Sequence, residues 1–476
     1  MGFSSTVVQT PSIKPNFNVG CLFDIPTGDW VIGLKGESIM NGGVHPETGI
    51  TGEPNCAKTG NSLFQLFTIA ERYPEIDVTA IDTENTLPKF RLSQSARQAA
   101  PSLLYTEEEF NELSESLHLD EYSLKRVTLT GLDAYSGSEF WEAFKQYGVK
   151  REKDKEQKLD TPFMGADKKP IRIYAPSFAF IDSISMLQPD NQLAVQDKGD
   201  AGSSDRNMES MQGGRAKSQM IGEMPRLTAR YGLYFFMTVH LGKQFNLDPR
   251  QPPKKQLSLL SADVKMKGVP ENFAFLVHNL WYLRSMKPLL NKGTKGPEYP
   301  RDSSETNDDE NVDLQYITCM QIRGKSGQSG IVFDMILSQT EGIQPSLTEF
   351  HYIKENERFG LGGNLLNYYL ELMPEVKLSR TTVRNKLDES YALRTATRIT
   401  ADLLQIKKFC VTIPDGLWCD PKTLYEDIKA LGYDWDVLLN TRGYWTFDQY
   451  ENPIPFLSTM DLLNMRAGTY KPYWLS

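Results

Sequence analysis

Gly52-Glu53-Pro54-Asn55-Cys56-Ala57-Lys58-Thr59 is the stretch on which the reading of this chain turns. A short apolar approach, Gly49-Ile50-Thr51, precedes it, and Ser62 to Ala70 follows with the texture of a helix. Strand, loop and helix in that order fit a phosphate-binding loop of the form GxxxxGK[ST], with Ala57 in place of the second glycine. Residues Gly52 through Gly60 would line the nucleotide, which points to ATP. Successive backbone N–H groups curl around its phosphates, and the helix N-terminus adds partial positive charge. Lys58 reaches the β- and γ-phosphates, and Thr59 offers its hydroxyl to Mg²⁺.

Two other apolar segments end in acids. Ile76-Asp77-Val78-Thr79-Ala80-Ile81 runs into Asp82-Thr83-Glu84, placing Glu84 where it can orient and deprotonate a water. Phe178-Ala179-Phe180-Ile181-Asp182 reads as a buried parallel strand with a metal-supporting acid at its end. Leu233-Tyr234-Phe235-Phe236-Met237-Thr238-Val239 is a further strand, ending in His240. That histidine either senses the γ-phosphate or is simply satisfied at a strand end. A third strand is expected at Arg126–Thr130, then a helix from Ser138 to Phe144 and a solvated charged excursion, Lys150 to Glu156.

The 476 residues, 39% hydrophobic and 24% charged, suit a soluble globular chain of two or more domains. A net charge of −9 argues against nucleic-acid binding by the whole surface, so such contacts need local basic patches. Two segments qualify. Residues 187–217 read as a long polar, Gly-rich loop with Arg206, Arg215 and Lys217, ahead of a helix from Gln219 to Arg230. Leu241 to Phe273 carries Lys254, Lys255, Lys265 and Lys267, suited to a phosphate backbone unless it is only a solvated basic face. Five scattered cysteines, without metal-ligand spacing, read as reduced thiols of a cytoplasmic protein. Neither a signal peptide nor a bilayer-length apolar run is evident, so no membrane partner is expected.

Residues 1–20 read as an N-terminal arm, with Gly2-Phe3-Ser4-Ser5-Thr6 either a disordered tail or an anchor for a neighbouring subunit. Residues 287–313 form a low-complexity insertion, basic then acidic, expected as an exposed loop without a packed core. Strands at Tyr316–Ile322 and Ile331–Met335 flank a hairpin bearing Arg323 and Lys325. Cations so presented suit an arginine-finger role on an adjacent subunit, or a plain basic hairpin. From about 361 the texture turns helical, at Leu365–Leu372 and again at Ser379–Arg384 with Ser379 as N-cap. A separate C-terminal domain, 361–476, is expected there, its aromatics at Trp435, Tyr444-Trp445, Tyr470 and Tyr473-Trp474 read as core rather than base-stacking.

In this order the motifs resemble the RecA-type ATPases, most closely the bacteriophage recombinases of the UvsX kind, over roughly residues 20–360. The resemblance implies an α/β fold: a RecA-like P-loop core with a mainly parallel sheet, 21–360, plus a smaller C-terminal α+β or helical domain. It implies ATP and Mg²⁺ as cofactors, with Thr59 and Asp182 on the metal. Glu84 would be the base and Lys58 the phosphate ligand, with His240 as sensor and Arg323 and Lys325 acting across a filament interface. The two basic segments would be the DNA-binding loops. Single- and double-stranded DNA, further copies of the chain, a single-strand-binding protein and a loader are the implied partners. A hexameric helicase of the DnaB class shares this core and is the alternative.

Overall fold

The computed structural model describes residues 14–131, 137–154, 158–187, 204–243, 257, 259–261, 264–325, 329–410 and 413–475. In chain order its strands are β1 (Asp29–Ile32), β2 (Ser38–Asn41), β3 (Glu47–Gly52), β4 (Asp77–Asp82), β5 (Val127–Gly131), β6 (Leu159–Met164), β7 (Pro170–Ile173), β8 (Ser177–Asp182) and β9 (Leu233–Lys243). They continue with β10 (Val264–Met266), β11 (Asn279–Pro288), β12 (Leu314–Gly324), β13 (Val332–Ser338), β14 (Gly342–Ile343), β15 (Leu361–Gly363), β16 (Tyr368–Leu370) and β17 (Met373–Leu378). One large sheet has the order β14-β13-β12-β11-β3-β9-β8-β4-β5, with β10 added to β9. The run from β11 to β5 is parallel throughout; β12 to β14 and β10 are antiparallel additions. The chain is thus α/β with a mixed, mostly parallel sheet.

β8 and β9 read as near-continuous apolar runs because both of their faces are covered. Phe178, Phe180, Tyr234 and Phe236 point into one core, with Leu63, Leu66, Phe67 and Ile69 of the helix Lys58–Arg72. Ala179, Ile181, Leu233, Phe235 and Met237 point into the other. There they meet Trp141 and, from the long helix Ser204–Tyr231, Ile221, Met224 and Leu227. The alternation is the two-residue period of a strand made visible.

Several expectations are corrected. The second half of the arm, from Pro15 to Val19, is buried rather than free. Phe17 packs edge-on against Tyr73, Phe178 and Tyr234 and tilts against Trp445, whose indole N–H donates to Asn16 O at 3.0 Å. Gly2 to Thr6 lie outside the described residues. The charged run at Lys150 continues a helix, Gly137–Lys153, and Arg151 is buried with its guanidinium donating to Ala175 O and Tyr231 O. The helix expected at Gln219 begins at Ser204 instead, so Arg206, Arg215 and Lys217 are helical rather than on a loop.

The insertion 287–313 is packed. Tyr299 is fully buried and shares a 2.9 Å hydrogen bond with His351 Nδ1. Arg301 pairs with Glu341 and Asp388 and donates to Asn385 Oδ1. The helix expected over Leu365–Leu372 is instead the β15-β16-β17 sheet, with Leu365 and Leu366 on its exposed first turn. Ser379 does not cap a helix; the next one spans Val383–Glu389. Trp435 and Trp445 are buried, as their core reading expects, and residues from 361 to 465 share one buried cluster with the sheet's first face. Among the described residues no helix is long and apolar enough to cross a membrane.

Candidate nucleotide site

The site forms where the parallel strands deliver their carboxyl ends, the usual place for a ligand on such a sheet. Register levels those ends: Gly52 pairs with His240, and Asp82 with Asp182. β9 lies between the strand that enters the loop and the strand that ends in Asp182.

Gly52 must be glycine, because a Cβ there would sit 2.4 Å from Leu283 O on β11. Beyond it the loop turns through left-handed conformations at Asn55 (φ 58) and Ala57 (φ 48) before the helix starts at Lys58. Cys56 is buried beneath the loop, while Glu53, Pro54 and Asn55 are exposed. Glu53 ties the loop to β11, accepting from Tyr282 Oη at 3.1 Å and Ser285 N at 3.3 Å. Lys58 Nζ folds back onto the loop, donating to Glu53 O at 2.8 Å and Gly52 O at 3.4 Å. Burial lowers its ammonium pKa, and Cys56, Asp182 and Glu84 oppose that.

Thr59 Oγ1 donates to Asp182 Oδ2 at 2.6 Å, and Thr238 Oγ1 donates to Asp182 Oδ1. Burial raises the Asp182 carboxyl above its usual range; the two threonine hydroxyls pull it back. A buried carboxylate next to a hydroxyl, both hard oxygen donors, suits Mg²⁺, which takes one or two carboxylates and leaves the rest of its shell to phosphates and water. Among the described residues no group of three or more His, Cys, Asp or Glu side chains could hold a metal alone.

Glu84 is held between two partners. Ser183 Oγ donates to Glu84 Oε1 at 2.6 Å, and His240 Nε2 lies 2.7 Å from the same oxygen. Asp82 shapes the turn that presents Glu84, accepting from Glu84 N at 3.1 Å and Leu87 N at 2.6 Å. Sequence reading missed Thr238, Ser183, Asp82, Tyr282 and Ser185, whose Oγ accepts from His240 N at 2.8 Å. Thr238 was reachable, since residues two apart on a strand share a face and His240 was already singled out. Ser183 and Ser185 carry no such signal.

β9 does not stop at His240 but runs to Lys243, because β10 pairs with its last residues. Lys265 and Lys267 are exposed on that ribbon, and Lys267 N donates to His240 O at 2.8 Å. Arg215 is exposed on the long helix; Lys217 is buried and cannot contact DNA directly, which corrects its assignment. The Arg206 side chain, Lys254 and Lys255 lie outside the described residues.

Arg323 and Lys325 sit elsewhere. Gly324 pairs with Asn279, which itself pairs with Thr48 near the start of β3, so the two cations occupy the edge opposite Gly52. Four residues of strand separate the edges, about 13 Å at ~3.3 Å per residue. Arg323 Nη2 donates to Phe275 O at 3.1 Å and Lys325 Nζ to Leu276 O at 3.0 Å. Comparison with protein-family models and with curated proteins gives no match.

Proposed function

We infer that this chain is an ATP-dependent DNA recombinase of the RecA type, assembling on single-stranded DNA and pairing it with a duplex. The observation that carries the reading is the convergence of Lys58, Thr59, Glu84, Asp182 and His240 at the carboxyl ends of adjoining parallel strands. Lys58 exchanges its loop carbonyls for β- and γ-phosphate oxygens. Thr59 and Asp182 would hold Mg²⁺, which would supply neutralisation of phosphate charge. Glu84 accepts the proton of a water that attacks the γ-phosphorus, breaking its bond to the bridging oxygen and releasing ADP and phosphate. His240 shares Glu84 Oε1 and continues into the basic β9–β10 ribbon, so nucleotide and DNA are read by one strand. Arg323 and Lys325, on the far edge of their own sheet, act on a neighbour's nucleotide.

ATP hydrolysis with and without single-stranded DNA tests this, together with electron microscopy in a nonhydrolysable analogue. Lys58→Ala should lose nucleotide binding. Glu84→Gln should keep it while turnover falls about 100-fold or more. Phosphate release at background in wild type and E84Q alike would leave only a DNA-binding scaffold. Continuous helical filaments support a recombinase; closed six-membered rings would replace that reading with the helicase.

A further inference from the structure

Lys217 is 7% exposed, on the inner side of the helix Ser204–Tyr231. It helps line a small apolar cavity with Ile81, Ile181, Ile184, Leu187, Trp141 and Phe144. Ile81 and Ile181 immediately precede Asp82 and Asp182, so the cavity lies under the strand ends that carry the acids. Its ammonium donates to Ser185 O at 3.3 Å. Burial lowers its pKa to about 8. A methionine or leucine would fill such a space at far lower desolvation cost. An amine kept there at that cost is placed for what it holds.

What it holds is the turn that follows Asp182. Ser185 Oγ accepts from His240 N at 2.8 Å. Ile184 N donates to Thr238 O at 3.0 Å, and Ser183 Oγ donates to Glu84 at 2.6 Å. Gly268, just past β10, packs on the same turn; at φ 63 its Cβ would lie 2.2 Å from Ser185 O. One short turn thus touches the proposed base, the sensor strand, the basic ribbon and the long helix.

We propose that Lys217 is a positioning residue that fixes the Ser183–Ser185 turn against His240, so that displacement of the helix Ser204–Tyr231 reaches the Glu84–His240 pair. Arg215, exposed two residues earlier, is the point on that helix where a nucleic-acid strand would apply the displacement. That last step rests on the function proposed above; the positioning itself does not.

Hydrogen–deuterium exchange on the full chain without nucleotide tests the positioning directly. Lys217→Met and Ser185→Ala should each speed exchange about fivefold in peptides covering 183–187 and 236–243, with the peptide over 50–62 unchanged. Lys217→Arg keeps a donor and should return most of the protection; it also serves if K217M folds poorly. No change in either peptide, or an increase spread evenly through the chain, overturns the proposal. ATPase assays then separate the two claims. K217M should lose about fivefold of the stimulation by single-stranded DNA with KM within about twofold of wild type. Full stimulation in K217M overturns the coupling to DNA, whereas a wild-type protein that hydrolyses no ATP overturns the proposed function and leaves the exchange result to decide on Lys217.

Discussion

Ala57 occupies the glycine position of the phosphate-binding loop and keeps a glycine-like backbone, φ 48 and ψ 38. A Cβ in that region costs about 1–2 kcal/mol. Part of this returns as backbone entropy, so Ala57→Gly should stabilise the chain by about 1 kcal/mol. The shift would appear in the denaturant midpoint with the slope unchanged; a loss of stability would mean that the methyl group packs usefully. Lys217 gives the opposite lesson about charge. A lysine read from sequence alone is assigned outward, because nothing in a single chain marks the one that a helix turns inward. Its pKa falls on folding from 10.5 to about 8. Between those values the unfolded chain binds more protons, so stability rises as pH climbs from about 8 to about 10.5. Below that window the wild type bears the full penalty, up to roughly 3 kcal/mol. Thermal melting of K217M should therefore show its largest gain over wild type at pH 7, with the gap closing toward pH 10.5. A gap independent of pH would place the amine in water.

At the scale of elements, the sequence was most legible where burial is two-sided. β8 and β9 announce themselves as apolar runs because each is covered on both faces, and residues at their ends belong to the candidate site. Legibility failed where tertiary contacts overrule local pattern. Leu365, Leu366, Leu370 and Leu372 have helical spacing, yet the first two are 80% and 77% exposed at a turn and the last two are buried in the β15–β17 region. Gly213 and Gly214 made a loop of what is helix, since length and packing offset about 1 kcal/mol for each glycine. The insertion failed for a different reason: its composition is polar, but single residues anchor it. Tyr299→Phe should cost about 1–2 kcal/mol in urea unfolding, since it leaves a buried His351 nitrogen without its partner. A cost near zero would mean that water reaches His351.

On the scale of the whole molecule, both ends of the described chain close on one core. Phe17 and Trp445 lie against each other and against Tyr73, so the segment before β1 and the C-terminal region hold the same face of the sheet. Lys58 and the Arg323/Lys325 pair lie at opposite edges of the sheet, which under the proposed function would give each subunit a donor edge and an acceptor edge. Under the function proposed above, an assembly of such subunits is directional, with an idle half-site at each end. Activity per subunit then climbs with protein concentration, and two dead proteins can rescue one another. Mixed in equal amounts, Lys58→Ala and a double Arg323→Ala/Lys325→Ala variant should recover about a quarter of wild-type turnover, the share of junctions that join an intact acceptor to an intact donor. Turnover that stays at zero in the mixture would place all the working parts of each site within one chain.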